Sequence, residues 1–261
     1  MKRSKVTIAE IRAQTAVRMF DDLGITDKYA SFWGHVILRG ASPYPAWLFI
    51  RLGISGNTVT ILSFVIGCIG AGLLAFGNYY GMIVAAVLLN IWIFLDYVDG
   101  AVARGSNNVS KYGFFLDCFN DIIPRSLILF ALGIAAFSHT DSHLNWLTYS
   151  LLGWEINQSI FLILGGWAAA GAILSWLVVD RFIAIFSSRP SDYYKFGVGD
   201  RLLTLIRRIV GNVRVSFTVI LLLAVIFGFL GSFLLLYAFY HTADFIFIFV
   251  KVMNKARVSG Q

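Results

Sequence analysis

From about residue 58 the chain is a succession of long apolar runs separated by short polar or glycine-bearing breaks. Runs at 58–77, 80–105, 111–138, 156–182, 213–231 and 232–252 can each cross a hydrocarbon core of roughly 30 Å at about 1.5 Å per helical residue. The break between the last two rests on Gly228, Gly231 and Ser232 alone. Residues 1–57 are interrupted by charge too often to span a bilayer and carry no compact apolar run with a cleavage site. Within them, TDKYASFWGHVILR places a candidate N-cap at Thr26 and apolar Tyr29, Phe32, Trp33, Val36 and Ile37 at helical spacing. This predicts an amphipathic helix lying in the membrane interface or packed on its cytoplasmic face. The pattern therefore predicts an all-α polytopic membrane protein: an interfacial segment (1–57), a six-helix transmembrane domain (58–252) and a short tail (253–261).

Composition agrees. Hydrophobic residues make up 58% of the chain and charged residues 13%, about half the charged share of an ordinary soluble domain. A net charge of +7 raises the possibility of nucleic acid as a partner. The distribution argues against it: every Lys and Arg falls before residue 52, between 104 and 125, between 181 and 214, or after 250. The breaks near Gly77, His139 to Glu155 and Gly231 hold none. That asymmetry predicts a multi-pass cell-membrane protein with both termini in the cytoplasm, its cations facing anionic lipid or phosphate. Cys68 and Cys118 lie in apolar runs and imply no disulfide framework. The four histidines are scattered, and the sequons at Asn108 and Asn157 are weak signals.

Four carboxylates interrupt this apolar sequence together, in DYVDGAVARGSNNVSKYGFFLDCFND. Asp96 and Asp99 are three residues apart and Asp117 and Asp121 four apart, so each pair shares a helical face. Brought together beside lipid, four such groups repel one another and need a cation. Oxygen ligands with no accompanying His or thiolate favour Mg2+, Mn2+ or Ca2+ over zinc, and the site is read as holding two divalent cations, Mg2+ or Mn2+. The segment straddles the end of the second run, a turn at 105–110 and the start of the third, so the site is expected at the cytoplasmic face. A divalent-cation transporter or binding protein would use the same carboxylates. Its acidic residues are expected near the membrane midplane, often within an inverted repeat, and no such repeat is found.

The spacing Asp-x2-Asp-Gly-x2-Ala-Arg-x8-Gly-x3-Asp-x3-Asp is met by Asp96, Asp99, Gly100, Ala103, Arg104, Gly113, Asp117 and Asp121. In this the chain resembles the CDP-alcohol phosphatidyltransferases, membrane enzymes that join a CDP-linked alcohol to an acceptor alcohol and release CMP. The resemblance implies that Asp96, Asp99, Asp117 and Asp121 hold two divalent ions and that Asp121 is the catalytic base for the acceptor hydroxyl. It also implies that Asn57 and Thr60 lie near the nucleotide, although Gly56 stands where relatives commonly have Pro. Asn57 alternatively caps the first transmembrane helix. Gly100 and Ala103 would admit a CDP phosphate, Arg104 would bind it, and Gly113 would let the two motif helices meet. For these four, helix packing or snorkelling is the alternative.

Arg125 either pairs with Asp121, one turn before it, or binds an acceptor phosphate, and Arg201 is a second candidate for that role. Relatives using phosphorylated polyols often carry Ser-Tyr-x-Arg on the fourth span, whereas this chain has Ser175-Trp176-Leu177-Val178. The small alcohol acceptor is thus open among inositol derivatives, glycerol phosphate and serine. CDP-diacylglycerol is the expected donor, membrane lipid surrounds the protein, and a homodimer is implied by the resemblance alone.

Overall fold

The computed structural model describes residues 6–21, 33–139, 157–186 and 216–259, and every regular element among them is helical. α1 (Ile8–Asp21) is followed by a π-helical stretch at Trp33–Leu38 and one α-turn at Arg39–Ala41. Then come α2 (Pro43–Leu52), α3 (Gly56–Phe76), α4 (Tyr79–Gly105), α5 (Lys111–Ser138), α6 (Ser159–Phe186), α7 (Phe217–Phe227) and α8 (Leu230–Ser259). Helices α3, α4, α5, α6 and α8 are long and apolar enough to cross a membrane. Rings such as Phe76 and Phe239 point outward, as lipid-facing side chains do.

The helix ends follow local chemistry. Ser55 Oγ accepts the Thr58 amide at 3.2 Å and so caps α3, the place the sequence offered to Asn57. Ser110 Oγ accepts the Gly113 amide at 3.0 Å and starts α5 at the expected residue. α4 ends on Asn107, whose φ of 51° is left-handed. The Asn108 amide reaches back to the Ala103 carbonyl and the Asn107 amide to that of Arg104, closing a Schellman turn. Gly228 (φ 72°) ends α7 in the same way, with the Phe229 amide on the Ala224 carbonyl.

The expected runs 58–77, 80–105, 111–138 and 156–182 correspond to α3 to α6, and 232–252 to α8. The expected run 213–231 meets α7, an 11-residue helix, with residues 211–215 outside the described part. The first half of the expected amphipathic helix at Thr26–Arg39, residues 26–32, also lies outside it. The part described, from Trp33, is π-helical and then turns at Arg39–Ala41. An element the sequence reading did not anticipate is α1, which opens on a capping box. Thr7 Oγ1 accepts the Glu10 amide at 3.3 Å and Glu10 Oε2 accepts that of Thr7 at 2.8 Å.

The chain divides into two compact units, each with its own core. The first holds α1, α2, α3 to Val65, α4 from Asn90 and α5 to Asn120. Its core includes Ile11, Ala46, Val59, Trp92 and Val98. Ile11 and Ile50 close on Gly105, where an added Cβ would stand 3.0 and 2.8 Å from their side-chain atoms. The second holds α3 from Ile66, α4 to Leu89, α5 from Asp121, α6, α7 from Thr218 and α8. There Gly165 of α6 meets Gly133 of α5 so closely that a Cβ on Gly165 would lie 2.7 Å from the Gly133 Cα. Small residues thus set that helix contact. Pro124 lies inside α5 and supplies no amide to the Asn120 carbonyl one turn earlier.

Candidate functional site

Asp96 and Asp99, one turn apart on α4, meet Asp117 of α5 within the first unit. One carboxylate oxygen from each lies within 4.8 Å of the other two. Asp99 is buried at 5% exposure, and the other two are half-buried. The donors are all anionic oxygens, which fits a hard divalent cation such as Mg2+ or Mn2+. Among the described residues, no other group of three metal-ligating side chains converges in this way.

The trio is held from α3. Thr60 Oγ1 stands 2.6 Å from Asp99 Oδ2 and 3.1 Å from the Gly56 carbonyl. A hydroxyl has one proton, and the nearer, charged acceptor takes it most strongly. That approach needs Gly56, where a Cβ would lie 3.0 Å from both the Ala103 Cβ and the Asp99 carbonyl. Glycine at this place therefore serves the crossing of α3 over α4. Ala103 faces that crossing, in keeping with its packing alternative. Gly113 likewise faces Asn57, whose Oδ1 is 2.7 Å from where a Cβ would stand. The Arg104 guanidinium lies back along α4 over Gly100, with Nη1 2.9 Å from the Cβ position.

Asp121 and Arg125 belong to the second unit. Their side chains approach at 3.4 Å, so the pairing offered as one alternative for Arg125 is the contact observed. Asp121 is the more open of the two, at 49% exposure against 21%. Arg201 lies outside the described residues.

Three residues at the site were not singled out from the sequence: Ser63, Trp92 and Asn120. Asn120 Nδ2 donates to Asp96 Oδ1 at 2.6 Å and to Ser63 Oγ at 3.2 Å, while its Oδ1 accepts the Trp92 indole N–H at 3.1 Å. An amide inside an apolar helix between two motif aspartates was the available signal.

Fold and site together define a polytopic helical membrane protein with an all-carboxylate candidate metal centre. The family model for CDP-alcohol phosphatidyltransferases matches residues 54–250, and the chain belongs to that family. It is similar to the archaetidylinositol phosphate synthase of Pyrococcus horikoshii, 38% identical over 92 residues, or 34% of this chain and 46% of that one. The phosphatidylinositol phosphate synthase of Streptomyces avermitilis is 36% identical over 112 residues, covering 42% and 43%. Inner membrane protein YnjF of Escherichia coli is 31% identical over 101 residues, covering 39% and 47%. The chain spans under half the length of each of these relatives.

Proposed function

We propose that the protein is a CDP-alcohol phosphotransferase that moves a phosphatidyl, or another alcohol-phosphate, group from a CDP-linked alcohol to an acceptor alcohol and releases CMP. The observation that carries this reading is the convergence of Asp96, Asp99 and Asp117 within 4.8 Å in a chain of this family. Two divalent cations, Mg2+ or Mn2+, held by these three and Asp121, would neutralise the diphosphate and stabilise departing CMP. Asp121, one helical turn past Asp117, takes the proton of the acceptor hydroxyl as its oxygen bonds to phosphorus. The P–O bond to CMP breaks in the same displacement, and CMP leaves with the bonding electrons. Arg104 holds a donor phosphate where Gly100 leaves the backbone open, with Asn57, Thr60, Ala103 and Gly113 shaping the nucleotide end.

CDP-diacylglycerol is the donor, its acyl chains lying against the apolar helices. The names of two relatives carry inositol phosphate, which puts that acceptor first in the panel. Without an Arg at Val178, Arg125 or Arg201 would meet its phosphate. The charge distribution supports six spans with both termini and the site at the cytoplasmic face of the cell membrane. The protein forms a homodimer in this reading. A divalent-cation carrier accounts for the trio and leaves the match over residues 54–250 without a reason.

The test is CMP release by purified protein in lipid with Mg2+ or Mn2+, CDP-diacylglycerol and a panel of inositol phosphate, inositol, glycerol phosphate and serine. Release is expected with one alcohol, to stop on chelation and to resume when metal is restored. Divalent-ion flux into liposomes with no CMP released from any CDP-alcohol would overturn the reading in favour of the carrier.

A further inference from the structure

Asn120 is fully buried and ties together three helices of the first unit. Its amide accepts from Trp92 Nε1 (3.1 Å) and donates to Asp96 Oδ1 (2.6 Å) and Ser63 Oγ (3.2 Å), and Ser63 Oγ in turn donates to the Trp92 carbonyl (3.0 Å). The direction of every bond is fixed. An indole N–H can only donate, so the amide oxygen must face Trp92. The amide nitrogen then faces Asp96, which as a carboxylate can only accept. Ser63 has a single proton and spends it on the Trp92 carbonyl, so it accepts the second amide hydrogen. A side chain there must present an acceptor to one side and two donors to the other. Leu fills a similar volume and offers neither, and Asp sets a second anion against Asp96. The helix offers less help than usual at this point, because Pro124 supplies no donor to the Asn120 carbonyl.

We infer that Asn120 is a positioning residue: oriented by Trp92 and Ser63, it holds the Asp96 carboxylate in the attitude in which it meets Asp99 and Asp117, and so sets the affinity of the centre for its divalent cation. This rests on reading the three carboxylates as a metal centre. Partners that orient a metal-ligating group are commonly worth about 10–100-fold in metal affinity.

The experiment is a Mn2+ titration of the purified full chain in nanodiscs, with free Mn2+ read by electron paramagnetic resonance, on wild type, Asn120→Leu, Asn120→Asp and Trp92→Phe. Asn120→Leu is expected to weaken Mn2+ binding by about 10–100-fold, and Trp92→Phe by a smaller factor, since the amide then loses what sets its direction. In turnover, the Mn2+ concentration for half-maximal rate rises in Asn120→Leu while the rate at saturating Mn2+ recovers. A folded Asn120→Leu protein whose Mn2+ isotherm overlays the wild type, or whose lost rate excess Mn2+ does not restore, overturns the inference. Should Asn120→Leu not fold, an unchanged isotherm in Trp92→Phe overturns it. Wild-type protein that takes up no Mn2+ overturns the metal reading itself, and the inference with it, in the first titration. Wild-type binding with unaffected variants removes the positioning role alone.

Discussion

Thr60 and Asp99, 39 residues apart in the chain, meet at 2.6 Å, hydroxyl to carboxylate, in the buried wall of the acidic centre. A hydrogen bond to a charged group contributes about 1.5–3 kcal/mol. Thr60→Val keeps the shape and removes the donor, so Mn2+ binding should weaken by about tenfold or more, at 1.4 kcal/mol per decade. Thr60→Ser keeps the hydroxyl and should bind nearly as wild type. Equal affinity in the Val and wild-type proteins would show that the bond does not serve the centre.

The two ends of the motif should separate by function. Asp96→Asn removes a member of the converging trio and should weaken metal and CDP-alcohol binding together. Asp121→Asn should retain most nucleotide binding and lose turnover by about 100-fold or more, the usual contribution of a positioned base. Calorimetric titration with a CDP-alcohol beside the CMP-release assay separates the two. Full turnover in Asp121→Asn removes it from the role of base.

Adjacent glycines on α6 should respond oppositely. A methyl group on Gly165 would stand 2.7 Å from the Gly133 Cα and 3.0 Å from its nitrogen, and backbone cannot step aside as a side chain can. Gly165→Ala should therefore cost about 1–3 kcal/mol through overpacking and lower Tm in detergent. Gly166 has nothing within 4 Å of its Cβ position, so Gly166→Ala should leave Tm unchanged or raise it. Similar Tm values for the two variants would contradict this account of the α5–α6 contact.

The capping box of α1 gives a pH dependence with a definite sign. The Thr7 amide, and after it the Thr7 hydroxyl, hold the Glu10 carboxyl below its ordinary value. The group binds its proton less readily when folded than when unfolded. Its contribution to α1 is then complete above the ordinary Glu range and is lost as pH falls through the lowered, folded value. Amide exchange in the first turn of α1, corrected for its intrinsic pH dependence, should rise in acid in the wild type. Glu10→Gln should show no such rise. A wild-type turn equally protected at neutral and acid pH would rule the box out as the cause.

Much of this molecule was legible in one dimension. Apolar run length alone placed α3, α4, α5, α6 and α8, because a helix in lipid must satisfy its own backbone and so shows as one unbroken stretch. The turn at 105–110 marked the start of α5, and the spacings from Asp96 to Asp99 and from Asp117 to Asp121 put each pair on one face. Local rules were also present and passed over. Thr7-Ile8-Ala9-Glu10 is a capping box in sequence, and Ser55 competed with Asn57 for the cap of α3. At the short α7, the sequence signals were Gly228, Gly231 and Ser232, and the left-handed turn at Gly228 is the one that ends the helix.

What the sequence determined by itself was the kind of protein, the family, and which carboxylates share a helical face, since these depend on run length and on spacing along single helices. The tertiary structure alone decided what surrounds those carboxylates: Thr60 on Asp99, Asn120 on Asp96, and Gly56 and Gly113 at helix crossings. Those partners come from different helices, up to 57 residues apart for Asn120 and Ser63. No periodicity along one helix encodes which residue of another will face it. That is fixed when the helices pack and every buried donor must find an acceptor.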